Sequence, residues 1–152
     1  MEKTIKKIID LFFRQITELG GFFFYFIILI ACLIFNRIDL FTKLFLSLII
    51  IIVLSIAIKW FYFKERPKKQ KKTNLFERLD ASSFPSIHSM RAFSLAFWFS
   101  IFFDNLLFIF YVSLIALIVA YSRIYLKKHY LIDIVGGIFF AAVINIVIWW
   151  FI

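Results

Sequence analysis

Five stretches of this chain are long and apolar enough to be read as helices in a lipid bilayer. They are Gly21–Phe35, Leu40–Phe63, Pro85–Phe103, Leu106–Tyr125 and Tyr130–Ile152. The hydrocarbon core is about 30 Å thick, so a spanning helix needs roughly 20 apolar residues. The runs are continuous and do not alternate, which excludes the strands of a membrane barrel. A chain that is 64% hydrophobic and 22% aromatic also lies outside the range of soluble domains. The expectation is an all-α integral membrane protein. It is one domain over residues 1–152, a helical bundle of about five transmembrane helices.

Residues 2–19 read differently. Ile5, Ile8, Ile9, Phe12, Ile16 and Leu19 recur at helical spacing, while Lys3, Lys6, Lys7, Asp10, Arg14 and Glu18 interrupt them. This pattern predicts an N-terminal interfacial amphipathic helix. Gly20-Gly21 marks the bend into the bilayer. Aromatic belts are expected from Tyr25, Trp60, Tyr62, Tyr121, Tyr125 and Tyr130 at one face, and from Trp98, Tyr111, Trp149 and Trp150 at the other. Gly136-Gly137 predicts close helix packing, and Asn145 an interhelical hydrogen bond. The single Cys forms no intrachain disulfide.

Sidedness is contested within the sequence. Five spans put the N-terminus, the 64–84 loop and the 126–129 turn on one side. All Lys and Arg but Arg37 and Lys43 fall there, 16 of 18. The positive-inside rule makes that side cytoplasmic. Lys68, Lys69, Lys71 and Lys72 also suit any anionic leaflet.

The polar residues at the span ends carry chemistry. His129 and Asp133, four apart at a helix start, share one face. A carboxylate that accepts the Nδ1 proton leaves Nε2 free to attack. Arg123 closes the preceding span, within reach of the same pocket, and a guanidinium holds phosphate oxygens bidentately. Pro85 suits the first turn of a helix, where Ser86, Ile87 and His88 meet free amides and the positive dipole end. His88 can protonate a leaving oxygen. Lys59 and Arg66-Pro67 are uninformative alone, since a lysine there can simply snorkel. Together the groups supply a nucleophile, an acid and cations for equatorial oxygens, as phosphoryl transfer requires. Clustered carboxylates for two-metal catalysis are lacking.

K-x6-RP, PSxH and SR-x5-H-x3-D, as they stand at Lys59–Pro67, Pro85–His88 and Ser122–Asp133, closely resemble the three-part signature of the type 2 phosphatidic acid phosphatase superfamily. The resemblance covers roughly residues 40–152. It implies that Lys59, Arg66, Arg123, Ser86 and the backbone at Ile87 bind phosphate. It implies His129 as a nucleophile forming a phosphohistidine, Asp133 as its orienting group and His88 as general acid, with no metal and no cofactor. It further implies a bacterial inner-membrane, multi-pass protein whose site faces the periplasm, against the charge count. The expected substrate is a lipid A-type or phospholipid phosphate, lipid A 1-phosphate first, then phosphatidylglycerol phosphate or undecaprenyl diphosphate. The bilayer is the expected partner and nucleic acid is not. Two departures stand out: Ile87 replaces the family's usual glycine, and five spans plus an interfacial helix stand where the family has six. Readings of other classes are a catalytically inactive lipid-binding protein and a transporter. A transporter fits poorly, because the polar residues cluster at one face.

Overall fold

Wherever the sequence turns apolar, the chain is helical. The computed structural model describes residues 2–68, 74, 77, 79 and 81–152. The helices are α1 (Glu2–Ile16), α2 (Phe22–Ile34), α3 (Ile38–Phe61), α4 (Ile87–Phe103), α5 (Leu106–Tyr125) and α6 (Leu131–Phe151). A 3-10 turn, Thr17–Gly20, joins α1 to α2, and the chain bends there by 47°. Lys69, Lys71 and Lys72 of the expected basic run, and Asp80 of the 64–84 loop, lie outside the described residues.

Among the described residues three helices, α3, α5 and α6, are long and apolar enough to cross a membrane. The bent pair of α1 with its turn and α2 makes a fourth if counted as one span. The expected third span is shorter than the sequence suggested: α4 has 17 residues, about 26 Å at 1.5 Å per residue. The extended residues before it, Ser82, Ser83, Pro85 and Ser86, are buried. Irregular backbone beside a bilayer is tolerated where protein covers it.

Each connection has a local cause. Asp104 closes α4 in the left-handed region at φ 43, which Asp tolerates better than most residues. The Asn105 side chain then accepts the Phe108 amide at 3.1 Å and starts α5. After α5, the Arg123 carbonyl accepts the amides of both Lys128 (3.0 Å) and His129 (3.2 Å). Those two hydrogen bonds fold the turn back, so His129 lies beside the arginine six residues earlier.

The outside of the bundle is apolar, with Phe110, Leu114, Leu117, Val143 and Val147 exposed along α5 and α6. α4 is the central helix and packs on α3, α5, α6 and the 3-10 turn. A Cβ on Gly137 would lie 2.8 Å from the Ser86 carbonyl oxygen, so this glycine lets α6 lie directly against the start of α4. α1 is amphipathic, as its pattern predicts, with Ile5, Ile8, Leu11 and Phe12 exposed. Its other face docks on the end of α5. There Tyr125 donates to Asp10 Oδ1 at 2.6 Å and stacks near Phe13 with ring centroids 4.3 Å apart.

The belt expectation fails for two aromatics. Tyr25 and Trp98 are buried in the bundle. Their polar tips find protein partners: the Tyr25 hydroxyl donates to the Leu44 carbonyl at 2.9 Å, and Trp98 Nε1 to Asn145 Oδ1 at 3.0 Å. Asn145 Oδ1 also accepts from Ser47 (2.8 Å) and Ser94 (3.0 Å), tying α3, α4 and α6 together. Asn145→Leu removes the acceptor these three donors share, although Trp98 keeps Ser47 Oγ at 2.8 Å and Ser47 keeps the Lys43 carbonyl at 2.8 Å. It is expected to destabilise the bundle by roughly 1–3 kcal/mol, read as a lower midpoint in detergent unfolding.

Candidate active site

The three motif segments meet at the end of the bundle where α3 and α5 finish and α4 and α6 begin. A cavity of about 450 Å³ opens there, walled by Lys59, Arg66, Ile87, His88, Arg123 and His129, with Arg91, Lys128, Ile52 and Ile56. Lys59, in the last turn of α3, is buried against this cavity, which a snorkelling lysine would not be. Five cations and two imidazoles line it, with no carboxylate among the described wall residues. Such a space suits an anion carrying more than one charge.

The histidine is fixed by the backbone. His129 Nδ1 lies 2.7 Å from the Ser83 carbonyl oxygen. A carbonyl only accepts, so Nδ1 carries the proton and the neutral ring presents its lone pair at Nε2. Ser83 is itself held: its amide donates to the Lys64 carbonyl at 2.8 Å, and its hydroxyl to the Glu65 carbonyl at 3.2 Å. The sequence assigned the Nδ1 proton to Asp133. Here Asp133 Oδ2 stands 3.8 Å from Nδ1, beyond hydrogen-bond range. The carboxylate is engaged elsewhere. Oδ2 accepts the Tyr130 amide at 2.8 Å, capping α6, and Oδ1 accepts from Lys64 at 2.6 Å. Asp133 is fully buried.

Burial pushes the His129 imidazole down to about 4, helped by the Arg123 and Arg66 charges and opposed by Asp133. The ring is therefore predominantly neutral, with Nε2 unprotonated, near neutral pH. Nitrogen NMR of the ring in the ligand-free protein is expected to show a midpoint near 4, against about 6.5 for a free histidine. A midpoint near the free value contradicts the burial.

Ser86 is fully buried at the N-cap of α4 and is not a wall of the cavity. Its oxygen accepts from the Ser89 hydroxyl at 3.0 Å, and its amide donates to the Asp133 carbonyl at 3.0 Å. These bonds lock the start of α4 to the start of α6. Ile87 and His88 follow as first-turn residues, whose amides have no partner inside a helix.

Several residues escaped sequence reasoning. Lys64 was not marked as the partner of Asp133, nor Ser83 as the partner of His129. Lys128 was readable only as the neighbour of His129. Arg91 was visible one turn beyond His88, but a bundle-facing arginine gives the same sequence signal. Thr17 gave none, although its Oγ1 accepts from Arg123 Nη1 at 2.9 Å.

No curated protein matches the chain. The fold is similar to the crystal structure of Aquifex aeolicus LpxE, with a TM-score of 0.80 and 28% identity, covering 95% of this chain and 87% of that one. Residues 40–152 match the PAP2 superfamily, the range that contains all three motifs and the whole cavity wall. The chain belongs to the PAP2 superfamily and is a membrane lipid phosphatase.

Proposed function

We propose that the protein removes the phosphate of lipid A 1-phosphate, or of a chemically similar lipid phosphate, through a phosphohistidine at His129. The observation that carries the mechanism is the Nδ1 bond to Ser83, which leaves Nε2 as the available lone pair in a cation-lined cavity. Nε2 attacks phosphorus in line while Lys59, Arg66 and Arg123 hold the equatorial oxygens. The first-turn amides of α4 at Ile87 and His88 add donors at the positive end of the helix. Ser86 supports that turn from the N-cap. Asp133, held by Lys64 and Tyr130, steadies the positive charge that forms on the ring.

His88 protonates the leaving oxygen. A bound phosphate dianion beside it favours its charged form. In the second step His88 takes a proton from water, and hydroxide releases phosphate from His129. The chemistry needs cations and imidazoles only, so the reaction is expected to run without metal.

The lipid A reading rests on the similarity to LpxE, on the small size of the chain and on the cationic cavity at the bundle end. Phosphatidylglycerol phosphate and undecaprenyl diphosphate are the alternatives of the same chemistry. The site is assigned to the periplasmic face of a bacterial inner membrane. The test is phosphate release by the detergent-purified protein from these lipids and phosphatidic acid, with EDTA present. Turnover of lipid A 1-phosphate at an EDTA-independent rate is expected. Preference for another lipid overturns the substrate, and a strict Mg²⁺ requirement overturns the metal-free mechanism.

A further inference from the structure

The 3-10 turn Thr17–Gly20 belongs to none of the three motifs, yet it touches three walls of the cavity. Thr17 Oγ1 accepts from Arg123 Nη1 at 2.9 Å, across 106 positions of sequence, with both residues buried. The Gly20 carbonyl accepts from Arg91 Nε at 2.9 Å. A Cβ on Gly20 would lie 2.8 Å from the His88 carbonyl oxygen, so the turn rests on the backbone of the second motif. Arg123, Arg91 and His88 all line the cavity. A segment whose sequence reads only as membrane-surface helix thus packs behind three of the residues that line the cavity.

We propose that Thr17 is a positioning residue for the phosphate site. Its hydroxyl oxygen holds Nη1 of Arg123, so that the remaining edge of the guanidinium faces the cavity. The proposal rests on the reading that Arg123 binds the transferred phosphoryl group. A guanidinium on a long flexible stem recognises an oxyanion well only when its planar fork is held in register. Removing a buried acceptor leaves a charged N–H without its partner and frees the fork to turn.

The test uses full-length protein in detergent and orthovanadate, an oxyanion of phosphate's shape, as the binding probe. Thr17→Val keeps the shape and removes the acceptor. It is expected to weaken vanadate inhibition and lower kcat/KM by about tenfold each. Thr17→Ser keeps the oxygen and loses the methyl, and is expected to stay within about twofold of the parent. A role in packing alone predicts the reverse order, because serine loses the buried methyl and valine keeps it. Thr17→Ala is the second acceptor-less variant should valine fail to fold, with the same expected loss. Vanadate affinity unchanged in the valine or alanine variant overturns the proposal, as does a serine variant that fails as they do. Arg123→Ala separates the two layers. If it keeps vanadate affinity, the phosphate-binding reading of Arg123 falls and takes the proposal with it. If it loses affinity while Thr17→Val keeps it, the Thr17 proposal alone is overturned.

Discussion

His129→Ala is expected to reduce phosphate release by about 10³-fold or more while the bundle stays folded. Among the described residues the imidazole hydrogen-bonds to the Ser83 carbonyl, and it sits in a turn outside the α-helices. Its removal therefore touches the chemistry far more than the packing. No other described wall residue can replace it by a small shift, because the rest offer only cations, aliphatic groups and His88 on another helix. Phosphate assays beside a thermal melt measure both quantities. A variant that keeps its melting point and its turnover contradicts the nucleophile.

His88→Gln is the second large effect, and its size depends on the leaving group. For a lipid whose departing oxygen is a poor leaving group, loss of the general acid is expected to lower kcat by about 10²–10⁴-fold. For p-nitrophenyl phosphate the departing phenolate needs no proton, so the loss is expected to shrink to about tenfold or less. Equal losses on both substrates contradict the acid role. They point instead to the place of His88 in the cavity wall at the start of α4.

The sequence revealed the bundle because a bilayer imposes one solution on a long apolar run. Asn145 and Gly137 were legible for the same reason, since a polar amide and a missing side chain each have few uses between helices. The motif cations and histidines were legible because their residue types, order and spacing resemble the three-part signature of the superfamily. Other features left no such trace. The acceptor for His129 is a backbone carbonyl, which every residue carries, so Ser83 has no signature. Lys64 and Asp133 are 69 positions apart, and Thr17 and Arg123 are 106 apart. Those contacts exist only once the 3-10 turn, α5, α6 and the segment after α3 are assembled. Tyr25 and Trp98 misled for the opposite reason. Their amphipathic rings suit an interface, but the hydroxyl and indole found partners at Leu44 and Asn145 inside the bundle. α4 proved shorter than its apolar run, because Ser83 pairs with Lys64 and Glu65, and Ser86 with Asp133, before the helix begins.

Covalent trapping of the intermediate tests the central claim most directly. The purified protein would be mixed with its lipid substrate for a few milliseconds, quenched in alkali, where phosphohistidine survives, and digested for mass spectrometry. The account predicts a phosphoryl group on the peptide carrying His129, absent when Asn or Ala replaces that residue. Turnover with no phosphopeptide at any quench time, or a phosphoryl group on His88 instead, would contradict it.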